Sequence, residues 1–244
     1  MRRGGTMLGV ICASNKTPLT IGIGNQEMHP VLLSLANIKP GVHMKATYHS
    51  FVLAAYLPIP KFINVSAPVQ VALAAHIYHS CLTIVTENFQ WAAWEGVNIP
   101  DLLGHIHVCY PTLISWIANL PEQRLIAGIL QNQSPILEAT LDHFGDGPGD
   151  QNWPCCDHNR TLQHIHTAVI QTDPSDIPAF VKMWQPLGLL GVHQLFWQDW
   201  GMPLEDTIPM HSWPAPHTFL CWMHCINGTN SLITLSNGHQ HHDG

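Results

Sequence analysis

Apolar residues run from Leu8 to Ala13, and the run ends at Ser14-Asn15-Lys16. A short apolar stretch closed by polar residues predicts a buried strand over 8–14. Gly22 and Gly24 punctuate a turn, Val31 to Ile38 predicts a second strand, and Phe51 to Leu57 a third, stopped by Pro58 and Pro60. The period then changes. Val69, Leu73, Ile77, Leu82, Val85 and Phe89 recur every three to five residues, which predicts a helix over 67–95 ended by Gly96. Leu113 to Ala118 predicts another strand, followed by Asn119 and a helix opened by Pro121 and running through Leu130. From Gly145 to Asn159 the Gly, Pro, Asp and Cys residues show no period and predict a loop. Thr161 to Gln171 and Pro178 to Trp184 predict two further helices, the second led by Asp173 to Asp176.

Three strands, a long helix, a strand and then helices give an α/β chain. This order resembles the front half of a ribonuclease H-like domain, with an antiparallel meander followed by helix-separated strands. On that comparison the core is incomplete and occupies 1–201. Asn15 and Asn119 then close the first and fourth strands and are expected to lie near each other. After about Gly201 neither period persists and charges nearly vanish, so 202–244 is expected to be an irregular, poorly packed tail.

Composition narrows the function. Charged residues make up 10% of the 244, against about 25% in ordinary globular chains. A surface this poor in charge suits a fragment once covered by partners, and it favours self-association. The formal charge of −7 argues against a strong grip on phosphate backbones, which needs clustered Lys and Arg. Seven irregularly spaced cysteines do not make a disulfide framework and point to a reducing compartment. No unbroken run approaches the roughly 18 to 20 apolar residues of a bilayer span. Arg2-Arg3 before Met7–Ala13 imitates a signal peptide, but the apolar stretch is short and serves equally as a first strand. Sequons at Asn15, Asn64, Asn132, Asn159 and Asn227 would matter only in a secreted chain.

Several blocks carry a family resemblance. Asn15-Lys16-Thr17-Pro18-Leu19-Thr20, His29-Pro30-Val31-Leu32-Leu33-Ser34-Leu35-Ala36-Asn37-Ile38 and Ala55-Tyr56-Leu57-Pro58-Ile59-Pro60-Lys61-Phe62 resemble the core of Plavaka-type transposases, fungal enzymes similar to the CACTA group. The likeness resumes at Leu120-Pro121-Glu122-Gln123-Arg124-Leu125-Ile126-Ala127-Gly128, at Phe144-Gly145-Asp146, and at Asp173-Pro174 and Asp176-Ile177-Pro178-Ala179-Phe180. It ends with Gly191-Val192-His193-Gln194-Leu195-Phe196-Trp197-Gln198-Asp199-Trp200. The resemblance implies a DDE-type transposase that acts on DNA with Mg²⁺ in the nucleus or cytoplasm.

Two departures change that expectation. The family typically reads Ser-Asp-Lys-Thr where this chain has Ser14-Asn15-Lys16-Thr17, and Ala-Asp-Leu/Tyr-Pro-Glu where it has Ala118-Asn119-Leu120-Pro121-Glu122. Two-metal phosphoryl transfer needs carboxylates to hold cations about 3.5 to 4 Å apart, and an amide cannot offset their charge. A degenerate and C-terminally truncated copy without strand-transfer activity is therefore expected, with no working catalytic residue, no bound cofactor, weak DNA contact and no membrane contact. Its third acid is not identifiable. Two readings of other classes stand beside this one: a transposase-derived accessory or enzyme of a fungal biosynthetic pathway, and a secreted glycosylated or metal-binding protein.

The remaining candidate chemistry is weaker. Cys155-Cys156-Asp157-His158 and Cys221-Trp222-Met223-His224-Cys225 contain zinc-ligand types but no paired CxxC knuckles. His76 and His79 lie three apart on the long helix and read as surface or half-buried histidines. His105/His107 and His164/His166 are expected to point apart, and His239, His241 and His242 to bind soft ions only adventitiously. No Walker loop, dinucleotide loop (Gly22-Ile23-Gly24 lacks the third glycine) or serine elbow is present. Trp91, Trp94, Trp116, Trp197 and Trp200 lack flanking Lys and Arg and read as core rather than base-stacking residues.

Overall fold

The computed structural model describes residues 4–198 apart from 21–23, 25, 44, 139–141, 143–152, 155 and 174. The expectation for 202–244, most of the loop expected over 145–159, and the family blocks at Phe144-Gly145-Asp146 and Asp199-Trp200 lie outside those residues. Seven strands are described: β1 (Thr6–Ser14), β2 (Thr17–Pro18), β3 (Glu27–Met28), β4 (Pro30–Leu35), β5 (Val52–Tyr56), β6 (Val97–Pro100) and β7 (Ile106–Ile117). The helices are α1 (Pro40–His43), α2 (Ala67–Glu95), α3 (Leu120–Ala127), α4 (His158–Gln171) and α5 (Ile177–Trp184), with 3₁₀ turns at Ala46–Tyr48 and Gln185–Leu187.

The main sheet runs β5-β4-β1-β7-β6, and β2 and β3 form a separate ribbon. β1, β4 and β5 form the expected antiparallel meander. β7 lies parallel to β1, from Thr6 opposite Cys109 to Ala13 opposite Ile117. A parallel neighbour cannot follow through a tight turn, and α2 lies in the long connection between them. The structure adds what the hydrophobic pattern did not predict: β6 pairs antiparallel with β7, whose first half precedes Leu113. Pro100, Gly104, His105 and His107 interrupt the apolar pattern there, although backbone pairing continues. The second strand ends at Leu35 rather than Ile38, and the helix after Asn119 stops at Ala127 rather than Leu130.

α2 has the predicted limits. Gly96 ends it with φ 78, its N–H donating to the Ala92 carbonyl at 3.0 Å. One stripe, with Tyr78 and Leu82, packs with Val10, Cys12, Val31, Leu113, Trp116, Ile126 and Phe196 against the sheet. Ala75 belongs to a second cluster with Ile165, Ala168, Phe180, Trp184, Val192 and Leu195. The helix is therefore shared by two cores. By length and mean hydropathy (1.3 over its most apolar stretch) it is also apolar enough to cross a bilayer, although polar residues such as His76, His79 and Gln90 break its apolar runs. In this fold its Tyr78–Leu82 stripe lies on the sheet.

α3 ends at Gly128, where φ is 72 and the N–H reaches the Leu125 carbonyl at 3.0 Å. A Cβ there would sit 2.8 Å from Leu195 Cδ2, in the second core. Gly128→Ala is expected to lower stability by roughly 1–2 kcal/mol for the left-handed backbone alone, and further for the overlap. A urea midpoint unchanged from the parent would contradict this account of the helix end.

Candidate functional site at the ends of two parallel strands

Because β1 and β7 run parallel, with Ala13 opposite Ile117 after a one-residue shift at Val10/Ile11, their C-terminal ends emerge side by side. Asn15 and Asn119 follow those ends, and Asn119 Nδ2 donates to Asn15 Oδ1 at 2.8 Å. The expected proximity is therefore present. Asn119 also caps α3, its Oδ1 accepting the Glu122 N–H at 3.0 Å. Asn-x-x-Glu is the spacing of a capping box, in which the glutamate would reach back to the cap backbone. Glu122 turns inward instead.

There its Oε1 accepts from Ser14 Oγ, from His29 Nε2 at 2.7 Å and from the Tyr78 hydroxyl at 3.0 Å. Trp116 Nε1 donates to Ser14 Oγ at 2.8 Å, and the His29 ring stacks on Tyr78 with centroids 5.5 Å apart. All five side chains are buried. Burial pushes the Glu122 carboxyl up, but the hydrogen bonds from His29 and Ser14, the His29 imidazole and Tyr78 outweigh it, and the group sits below the ordinary carboxylate value. Tyr78 is held well above the usual phenol value by burial first and then by the adjacent Glu122 charge. Sequence reading missed this hub. Its only local trace is the Asn119-to-Glu122 spacing, since Ser14, His29, Tyr78 and Glu122 come from distant segments.

The strand-end pair does not fit a magnesium site. Asn15 Oδ1 is engaged by an N–H of Asn119, Asn119 Oδ1 by the Glu122 backbone, and neither carries charge. Glu122 spends its Oε1 on the core, and Glu27 pairs with Lys16 at 2.8 Å. Among the described residues no set of three or more His, Cys, Asp or Glu side chains is arranged to hold a metal ion.

Three expectations about other residues are corrected. His79 is fully buried rather than at the surface or half-buried: its Nε2–H donates to the Leu125 carbonyl at 3.0 Å, and Nδ1 accepts the Phe196 N–H at 3.3 Å. Burial lowers its pKa to about 4. His76 is half-buried, donating through Nε2 to the Gly191 carbonyl at 2.9 Å. His105 Nδ1 and His107 Nε2 do not diverge; both reach Asp101 Oδ2 at 3.2 Å, because residues two apart along extended chain share a face. Hydrogen bonds from His107 and from the His105 backbone hold the Asp101 carboxyl down at about 2. Trp91 and Trp94 are 63% and 45% exposed, so they are not core; they lie beyond the packed stripe, where Ala92 alone turns inward.

Other candidates fall as read or lie outside the described residues. Trp116 is buried, and Trp197 Nε1 donates to the Ile126 carbonyl at 2.9 Å. His164 and His166 sit two positions apart on α4 and so diverge. Cys156 donates to the Ser134 carbonyl, and Asp157 caps α4 through Asn159 N at 2.9 Å. Cys155, Trp200, Cys221, His224, Cys225, His239, His241 and His242 lie outside the described residues.

With that geometry in place, the class is given by comparison with known families: a model of a transposase family matches residues 1–205. The chain belongs to the Plavaka transposase family. No curated protein and no solved structure matches it.

Proposed function

We propose that this chain is a transposase-derived protein whose core, over 1–201, is a ribonuclease H-like domain without DNA-cleaving or strand-transfer activity. The observation that carries the reading is the hydrogen-bonded amide pair of Asn15 and Asn119 at the two parallel strand ends. The strand order β5-β4-β1-β7, with a meander followed by a parallel fourth strand, supports the fold assignment. Family membership suggests DNA as the ancestral partner and a nuclear or cytoplasmic protein. The formal charge of −7 favours weak DNA contact in this copy.

Metal-assisted attack on a phosphodiester needs anionic oxygens that gather divalent cations around the attacking and leaving oxygens. Two neutral amides that bond to each other provide none of that charge. Incubation of the purified chain with linear and supercoiled DNA in Mg²⁺ or Mn²⁺ is expected to give no nicking above a protein-free control. Robust cleavage that disappears in Asn15→Ala would overturn the proposal. Restoring Asn15→Asp together with Asn119→Asp is expected to leave the chain inactive, because the described residues near the pair offer no unengaged third carboxylate.

A further inference from the structure

We propose that Glu122 is the positioning residue of the strand-end pair: it sets Asn15 and Asn119 against each other from beneath and is not itself a ligand-binding group. The inference rests on the assignment of the candidate site to the strand ends. Glu122 holds Asn119 directly and Asn15 through its chain neighbour Ser14, using different atoms. Its backbone N–H is bonded to Asn119 Oδ1 at 3.0 Å, and its Oε1 accepts from Ser14, the residue before Asn15. The same oxygen gathers His29, just ahead of β4, and Tyr78 on α2, while Trp116 on β7 secures Ser14 from the other side. One carboxylate oxygen therefore ties β1, the β3–β4 connection and α2 to the first turn of α3.

The chemistry of the hub explains why a carboxylate is used. Ser14, His29 and Tyr78 all present donors to one point, so the receiving atom must accept three times. A carboxylate accepts only, and its charge strengthens each bond. A glutamine would bring two N–H groups into a cluster that already has donors to spare. A glutamate serving only the helix would close the capping box and remain at the surface. This one is diverted inward and 6% exposed, a costly placement for a charge unless its partners are complete. With three donors on its Oε1 and its side chain in the core, Glu122 is not a candidate for the acid that a metal site here would still need.

The test reads the Asn119 carboxamide directly, without any activity assay. In the ¹⁵N-labelled full chain, Asn15→Ala removes the acceptor and defines the signature of a released Asn119 side-chain NH₂. Glu122→Gln keeps the backbone N–H and side-chain size. It is expected to shift the Asn119 NH₂ resonances toward that signature, with hydrogen exchange at least tenfold faster. The Asn37 carboxamide, held by the Gly9 N–H at 2.8 Å and the Met7 carbonyl at 3.2 Å, is expected to stay in place. Should Glu122→Gln not fold, Ser14→Ala cuts the link to β1 alone and is expected to move the same resonances in the same direction. Leu189→Ala, in the second core, serves as the destabilised control.

Asn119 resonances unchanged in Glu122→Gln or Ser14→Ala would overturn the proposal. So would an equal change in Leu189→Ala, which would make the effect general loosening. DNA cleavage by the parent chain would defeat the inactive reading and leave this readout untouched, so the two failures are separable.

Discussion

Lowering the pH from 7 to about 4 is expected to remove about 3 kcal/mol of folding stability through His79 alone. The side chain is fully buried between α2, α3 and the Phe196 backbone. The Leu125 carbonyl can only accept, so Nε2 carries the proton. Nδ1 receives the Phe196 N–H and must stay unprotonated. Burial accordingly lowers the folded pKa from 6.5 to about 4. A depressed histidine pKa means that the unfolded chain binds the proton first. The contribution is fully present above pH 6.5, declines as the pH falls, and is exhausted only below about pH 4, where both states are protonated. At about 1.36 kcal/mol per pKa unit the total comes to roughly 3 kcal/mol.

His76, also lowered by burial, adds to the same window. Glu122 has a depressed carboxyl, so its own contribution is lost below the ordinary value of 4.5, at the acid end. Urea midpoints between pH 7 and pH 4 read the effect. His79→Gln should be less stable at pH 7 yet lose less between pH 6.5 and 4. An equally steep decline in that variant would place the proton uptake elsewhere.

The second large effect concerns the strand ends. Asn15→Asp combined with Asn119→Asp is expected to destabilise the fold by about 2–3 kcal/mol at pH 7 without divalent cation. The facing atoms are 2.8 Å apart. Two unit charges at that distance repel by about 1.5 kcal/mol even at the dielectric constant of water, and the lost amide hydrogen bond adds about 1 kcal/mol. The helix cap survives, since an aspartate oxygen still accepts the Glu122 N–H. Mg²⁺ should raise the melting temperature of the double variant and leave the parent unchanged, because a ligand stabilises only the state that binds it. A double variant as stable as the parent at pH 7, and indifferent to Mg²⁺, would show that these side chains do not face each other.

Much of the frame was legible because it depends on local period. The limits of α2 follow from apolar residues recurring every three to five positions and from Gly96, and β1 from one apolar run ended by Ser14. The β6–β7 hairpin was not legible, since its backbone pairs across a segment whose side chains carry no alternation. At the site, the positions of Asn15 and Asn119 followed from strand order and family pattern. The hub beneath them did not: Ser14 and Glu122 are 108 residues apart, and no local period records which polar side chains meet in a core. His79 was misjudged for a related reason. A histidine on an otherwise apolar helix announces its burial only when the partners for both ring nitrogens are known.

The parallel pairing of β1 with β7 also sets the order of events during synthesis. Thr6 must wait for Cys109, and Ala13 for Ile117. At about 5–20 residues per second, the inner edge of β1 stands unpaired for on the order of 5–20 s after it emerges, while β4 and β5 are already available on the other side. The meander therefore has time to form first, with one apolar strand edge open to other nascent chains. Yield on expression should depend on how quickly β7, carried across by α2, arrives to close that edge.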